Sequence, residues 1–343
     1  MSAAPIHAEN AAQAEYWNAS AGQRWTDHQE HQDQVLGPVS ERLIAVAAPK
    51  PGDRVIDVGC GCGATTIDFV ARVNPGGEVL GLDVSEPMLA RARERAPQNL
   101  PIRFAHGDAT VYDFEPNRAD LVASRFGVMF FADPARSFAN LRKGLKPGGR
   151  LVFACWREAK QNPWLIVPLR EATRHAPPLP ETNPEDPGPF AFASEARVRK
   201  ILSDAGFADI VLEPHDLELD IAVGGGLDKA VHAAMTIGPT SRMLDGQSEA
   251  VRAAAAADMK RFAPPRRRIF GKRWRRTHGE TPCRSARRSG SSAPRIRPNR
   301  SINATQARVT CKLNPRKTKE NRLHFLGFLW RNREFSLRYN ESK

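Results

Sequence analysis

Asp57, Gly59, Gly61, Gly63, Asp83 and Asp108 have the residue types and spacing that hold a nucleotide. The stretch VIDVGCGCGATTIDF, residues 55–69, sets three glycines at alternate positions between an apolar run and the start of a helix. Glycine at such a turn permits positive φ and lets a ligand approach the backbone, while the helix beyond offers unpaired N–H groups. Two ligands suit that loop. Gly59, Gly61 and Ala64 satisfy the G-x-G-x-x-G/A fingerprint of a dinucleotide site, as in an NAD-dependent oxidoreductase. The acids point elsewhere. Asp57 lies inside the preceding strand, where a buried carboxylate is costly unless hydrogen-bonded, and an anionic pyrophosphate gains nothing from it. Asp83 closes the next strand, where a carboxylate accepts both hydroxyls of a ribose in either ligand. Asp108, in the sequence HGDA, follows the third strand, where it can accept from an adenine amino group; a dinucleotide has no need of an acid there.

These residues need a frame. Residues 8–48 read as helical, rich in Ala, Gln and Glu, with Tyr16, Trp17 and Trp25 partly sharing a face. Pro51-Gly52 ends that run. The pattern then predicts a strand over 54–58, a helix over 64–73, a strand over 78–83, a helix over 86–96, strands over 102–106 and 120–124, a helix over 134–145 and a strand over 150–156. Short apolar runs alternating with helices imply crossovers and a doubly wound, mostly parallel α/β sheet. A Pro-rich connection over 163–189 leads to a helix in SEARVRKILSDAGF, a strand near 209–221 and a last helix in SEAVRAAAAADMKRF. No internal repeat is evident.

Charge divides the chain. The net charge of the 343 residues is +13, yet residues 264–343 hold 23 Lys+Arg against 4 Glu and no Asp, so the first 263 are mildly acidic. The basic segment has no sustained period and many breakers, and we expect it to be a disordered tail. Its Arg-rich composition, with Phe270, Trp274 and Trp330 interleaved, is that of a nucleic-acid arm, but the acidic body gives polyanion binding no help. A frameshift near codon 265 explains the abrupt onset of RRRIFGKRW better. The chain shows no secretory signal and no 18-residue apolar run, which leads us to expect a cytoplasmic protein with reduced thiols. Cys60 and Cys62 lack the partner pair a zinc site needs, and we expect no metal.

VIDVGCGCG, GLDVSEPML, AHGDAT and LRKGLKPGGRLVFACW, in that order, resemble the successive motifs of class I S-adenosylmethionine-dependent methyltransferases. The likeness is strongest to the small-molecule branch that includes the ubiquinone and menaquinone C-methyltransferases, and it covers about residues 10–263. It implies a Rossmann-like methyltransferase sheet, S-adenosyl-L-methionine as cofactor, a small-molecule acceptor and no nucleic acid. It assigns Asp57 to orienting the loop and the ligand's amino group, and Gly59, Gly61 and Gly63 to the methionine part. Asp83 takes the ribose hydroxyls, Met88 and Ser85 lie near the adenine, and Asp108 and Ala109 bind its edge. SRFGVMFF, residues 124–131, would line the meeting point of donor and acceptor. The helices bearing Tyr16, Trp17, Arg24 and Trp25 resemble a lid. The expected organisation is a helical lid over 1–48, a methyltransferase domain over 49–263 and the basic extension over 264–343. No catalytic base is assigned; His28, His31 and His106 are candidates. Asp83 has a competing role as helix-capping sequence with Ser85 as N-cap, Asp108 one as a turn cap, and Arg125 is either a substrate-facing cation or half of an ion pair.

Overall fold

The computed structural model describes residues 5–181 and 183–262 and the strands at 310–312 and 322–329. Its centre is the apolar run Val55, Ile56 and Val58 in β1 (Arg54–Val58), almost wholly buried because helices cover both sheet faces. β2 (Glu78–Asp83) pairs with β1, and β3 (Ile102–His106) with β2, both in parallel. On the other side of β1 come β4 (Ala119–Arg125) and β5 (Leu145–Trp156), again parallel. The chain thus lays strands outward from β1 in one direction, then returns and continues in the other. The reversal between β1 and β4 opens a crevice at the carboxyl ends of the strands, the place where open α/β sheets take ligands.

The crossover helices follow from their apolar spacing. α4 (Ala64–Val73) buries Phe69, Val70 and Val73, and α5 (Glu86–Arg95) buries Met88, Leu89 and Ala92. α6 (Pro134–Gly144) has Pro134 in its first turn, and the Asp133 side chain accepts the Arg136 N–H at 3.0 Å. This is the N-cap arrangement that satisfies a free first-turn donor. Phe138 and Leu141 on its inner face pack with Phe153 and Phe192 in the main core.

The structure departs from expectation in three places. β5 begins at Leu145 rather than 150, because its register against β4 shifts between Ala119 and Leu121 and the KPGG segment is absorbed as an irregularity. The stretch expected as a Pro-rich connection contains α7 (Pro163–Ala172). Pro163 sits where no N–H is needed, and Pro168 removes one hydrogen bond without ending the helix. The N-terminal helices also have two fates. A 3₁₀ turn (Ala8–Asn10), α1 (Ala11–Asn18) and α2 (Ser20–Asp27) lie at the surface, whereas α3 (Gln29–Ala47) buries Val35, Leu36, Val39, Leu43, Ile44 and Ala47 in the main core.

Beyond Trp156, α8 (Glu195–Asp204) and β6 (Val211–Asp216) continue the α/β pattern. α9 (Gly226–Thr236), α10 (Pro239–Met243) and α11 (Glu249–Phe262) join α7 around a smaller cluster of Ala172, Val231, Met243, Leu244, Ala255 and Met259. Most of the basic extension lies outside the described residues. Within it, β7 (Thr310–Lys312) and β8 (Arg322–Leu329) are strands. β8 pairs in parallel with β5 on one side and β6 on the other, giving the order β3-β2-β1-β4-β5-β8-β6, while β7 pairs antiparallel with β8. The apolar LHFLGFL segment supplies this strand. Among the described residues no helix is long and apolar enough to cross a membrane.

Ending the chain at Phe262 would remove β8, leaving β5 with an open edge and β6 without a described strand partner. Unpaired edges invite intermolecular pairing, so the truncated chain should melt at lower temperature and aggregate in a concentration-dependent way. Calorimetry with light scattering tests this, and an unchanged transition would show that β8 contributes nothing to the sheet.

Candidate active site at the carboxyl ends of the strands

The loop from β1 into α4 is built on left-handed glycines. Gly59 has φ +65° and Gly61 +55°. Space matters at Gly59 as much as angle: a Cβ there would come 2.6 Å from the Gly127 Cα, because the chain leaving β4 passes directly against the loop. Gly59 and Cys60 N–H both donate to the Leu82 carbonyl, fixing the loop to the end of β2.

Asp57 is wholly buried. Its Oδ2 accepts from both the Thr65 and Thr66 hydroxyls at 2.7 Å, which pins the first turn of α4 to β1. Its Oδ1 is buried with no partner. Burial pushes this carboxyl up to about 6, against the lowering pull of the two threonine hydrogen bonds and of Arg125. Asp83, at the end of β2, accepts the Gly61 N–H at 2.8 Å on Oδ2 and the Ser85 N–H at 2.9 Å on Oδ1. Burial raises its pKa while these backbone donors oppose the rise. Ser85 does not cap α5 with its side chain; its hydroxyl donates to the Trp17 carbonyl at 2.7 Å. Asp108 accepts from His7 N–H, Thr110 N–H and the Asn10 amide, at 2.8–3.0 Å.

A cavity of about 300 Å³ opens above these residues. Gly59, Gly61, Asp83, Met88, Asp108 and Ala109 line it, whereas Asp57 and Gly63 do not. Asp57 stands behind the loop, and Gly63 faces Ala92 and Phe104 in the packing of α4. Of the three histidines only His31 is on the wall; His106 lies 3.0 Å from the Val84 carbonyl oxygen, and His28, its pKa lowered by burial and by His232, also stands off it. Cys60 and Cys62 are free thiols on the wall, and burial raises Cys62 to about 11, so it stays protonated at neutral pH.

The other half of the cavity was foreseen only in part: the SRFGVMFF segment supplies Arg125, Phe126, Met129 and Phe130 to its wall, while Trp156 and Trp164 were not singled out. Phe126 stacks on Trp156 with centroids 4.2 Å apart, and Trp156 meets Trp164 edge-on at 5.4 Å. Ile237 and Thr240 close the far side. Apart from the aromatic residues that follow β4 and end β5, no local pattern marks these positions. Overhead, α1 is fastened at both ends. Asn10 donates to Asp108 and to Thr110 Oγ1 and accepts the Ala132 N–H at 2.8 Å. Asn18 donates to the Val84 carbonyl at 2.7 Å and accepts the Glu86 N–H at 2.9 Å. Trp17, on the same helix, packs edge-on against Phe130 at 5.1 Å.

Comparison with known proteins bears on what this crevice serves. A family model described as a methyltransferase domain matches residues 55–149, from β1 to the turn before the inner half of β5. The nocamycin O-methyltransferase of Saccharothrix syringae is 31% identical over 194 residues, covering 53% of this chain and 69% of that protein. The chain belongs to the S-adenosylmethionine-dependent methyltransferase family. A demethylmenaquinone methyltransferase of Renibacterium salmoninarum is 28% identical over 176 residues, 49% of this chain and 72% of that one. A crystal structure of a SAM dependent methyltransferase from Aquifex aeolicus is 20% identical, covering 58% of this chain and 90% of that one with a TM-score of 0.39.

As a methyltransferase, the chain uses S-adenosylmethionine, and its crevice suits that molecule on its own chemistry. A left-handed glycine cradle whose space a Cβ would fill and the carboxylates of Asp33, Asp83 and Asp108 on the wall match a cationic ligand rich in N–H and O–H donors.

The raised pKa of Asp57 has a definite consequence for stability. Between the ordinary carboxylate value and about 6 the folded protein binds more protons than the unfolded chain, so stability falls as pH rises through that window. Asp57→Asn should remove this slope, about 1.4 kcal/mol for each unit by which the native pKa exceeds the unfolded one. Urea unfolding of both proteins between pH 4 and 7 measures it; parallel profiles would place the proton elsewhere.

Proposed function

We propose that this methyltransferase holds S-adenosylmethionine with the residues singled out in its sequence and passes the methyl group to a small, largely apolar acceptor in the aromatic half of the same cavity. One observation carries the reading: the glycine loop, Asp83 and Asp108, from three successive crossovers, open on a single cavity. Gly59 and Gly61 would lie against the methionine part, and Asp83 would accept from the ribose hydroxyls. Met88, Asp108 and Ala109 would border the adenine. Asp57 acts from behind, holding α4 and the loop, and Gly63 sets the helix start rather than touching the ligand.

Bound there, S-adenosylmethionine supplies a methyl group on a cationic sulfur. The chain's task is then alignment and exclusion of water, the main contributions to an in-line displacement between positioned partners. α1, clasped by Asn10 and Asn18, roofs the cavity, and Phe126, Trp156 and Trp164 give a flat acceptor an apolar wall. The relatives named for nocamycin and demethylmenaquinone are consistent with a small organic acceptor. We likewise propose a lid made of the 3₁₀ turn, α1 and α2, a catalytic body that includes α3, and a cytoplasmic location. The alternative of a nicotinamide cofactor on the same glycines is disfavoured by the family to which the chain belongs.

Calorimetric titration of S-adenosylhomocysteine into the full chain and into Asp83→Ala tests the cofactor placement. Loss of charge-assisted hydrogen bonds of about 1.5–3 kcal/mol should weaken binding at least about tenfold. Equal affinities, in samples shown to be folded by circular dichroism, would remove Asp83 from the site.

A further inference from the structure

Arg125 is the last residue of β4 and lies on the cavity wall, followed by Phe126 of the aromatic half and by Gly127, which packs on the glycine loop. It stands where the two halves of the cavity meet. Its guanidinium makes one hydrogen bond within the described protein, Nη1 to the Ser40 hydroxyl at 2.7 Å. No described carboxylate comes within salt-bridge distance of it. Asp33, Asp57 and Asp68 act on it from farther away; Asp33 is already paired with Arg95 at 2.6 Å, Asp68 lies by Arg72, and the Oδ2 of Asp57 is engaged by two threonines. Burial lowers the pKa of Arg125, the mark of a cation withdrawn from water.

A guanidinium presents five N–H donors in a fixed fork and stays charged, so a half-satisfied one in an apolar setting is a standing cost. The Nε and Nη2 atoms are not among the sealed, partnerless atoms of the structure, which leaves them open to the cavity. The same cavity wall carries Phe126, Trp156, Trp164 and Leu165, and the carboxylate on it that acts on Arg125, that of Asp33, is held by Arg95.

We propose that Arg125 binds an anionic oxygen, a carboxylate in the first instance, of a ligand in this cavity and so selects for acidic molecules. The carboxylate has two sources, the amino-acid end of the cofactor or an acid group on the methyl acceptor; the second rests on the acceptor placement proposed above. The fork geometry favours a two-oxygen contact, which lysine cannot reproduce.

The test uses paired ligands on full-length wild type, Arg125→Met and Arg125→Lys. S-adenosylhomocysteine is compared with 5′-methylthioadenosine, which keeps the nucleoside and thioether but lacks the amino acid. 2-Naphthoate is compared with 2-naphthalenemethanol, which has the ring system without the charge. Arg125→Met should weaken one of the two carboxylates at least about tenfold, the loss expected for charge-assisted hydrogen bonds, and leave its uncharged counterpart within about twofold. Loss confined to S-adenosylhomocysteine assigns the contact to the cofactor; loss confined to naphthoate assigns it to the acceptor. Arg125→Lys should recover only part of the affinity. The ligand-free melting temperature of Arg125→Met should equal or exceed that of wild type, because a half-satisfied, partly buried cation has gone; a residue serving only the fold would show the opposite. Unchanged affinities for both carboxylates, equal losses for charged and uncharged partners, or a wild type that binds neither carboxylate would overturn the proposal. A wild type that binds naphthoate but not S-adenosylhomocysteine would overturn the cofactor placement alone.

Discussion

The tie between Asp57 and the threonines of α4 is the constraint on which the site depends. A carboxylate inside a parallel strand has no water to turn to, so it must find donors within the protein. Thr65 and Thr66 meet it from the first helical turn, and their bonds fix how far α4 stands from β1. The loop between them must then span a short gap, which it does with left-handed glycines, and its N–H groups are aimed by what lies beside it. Leu82 takes two of them and Asp83 takes that of Gly61. The first two crossovers are thereby joined at their carboxyl ends, and the cavity has a floor.

Electrostatics then divides that cavity. Asp83 and Asp108 crowd one end, both buried and both held by backbone donors. Arg125 stands at the boundary and aromatic rings form the other end. The cationic donor and the flat acceptor proposed above would thus meet different surroundings within one space, an arrangement suited to methyl transfer without any side chain having to form a bond.

The roof is a separate device. α1 is held chiefly by two asparagines: Asn10 donates to Asp108 and accepts from Ala132 in the chain after β4, and Asn18 bonds both ways with the chain that follows Asp83. Asn10 shares Asp108 with the proposed adenine subsite, so the state of the roof and the state of that subsite are coupled through one carboxylate. Trp17 adds a ring contact with Phe130 from the chain after β4.

Much of this was written in local pattern. Alternating apolar runs determined the strand and helix order from β1 to β5, since burial on both faces demands such runs. The glycine spacing and the acids at strand ends determined where the ligand floor would be. Local pattern said little about contacts between distant segments. Nothing near Asn10 announces that it will reach Asp108, and nothing near Trp164 announces a wall, because those roles arise only when crossovers bring separate segments together. After residue 263 the composition has no sustained period, and the pairing of the apolar LHFLGFL between β5 and β6 joins segments far apart in the chain. By itself, then, the sequence determined the doubly wound sheet and the left-handed glycine loop, whose signals are periodic and short-range. Tertiary structure alone decided which candidates face the cavity, why Asp57 and Gly63 stand behind it, and that Arg125 enters it without a carboxylate partner among the described residues, because facing and pairing depend on packing between residues far apart in the chain.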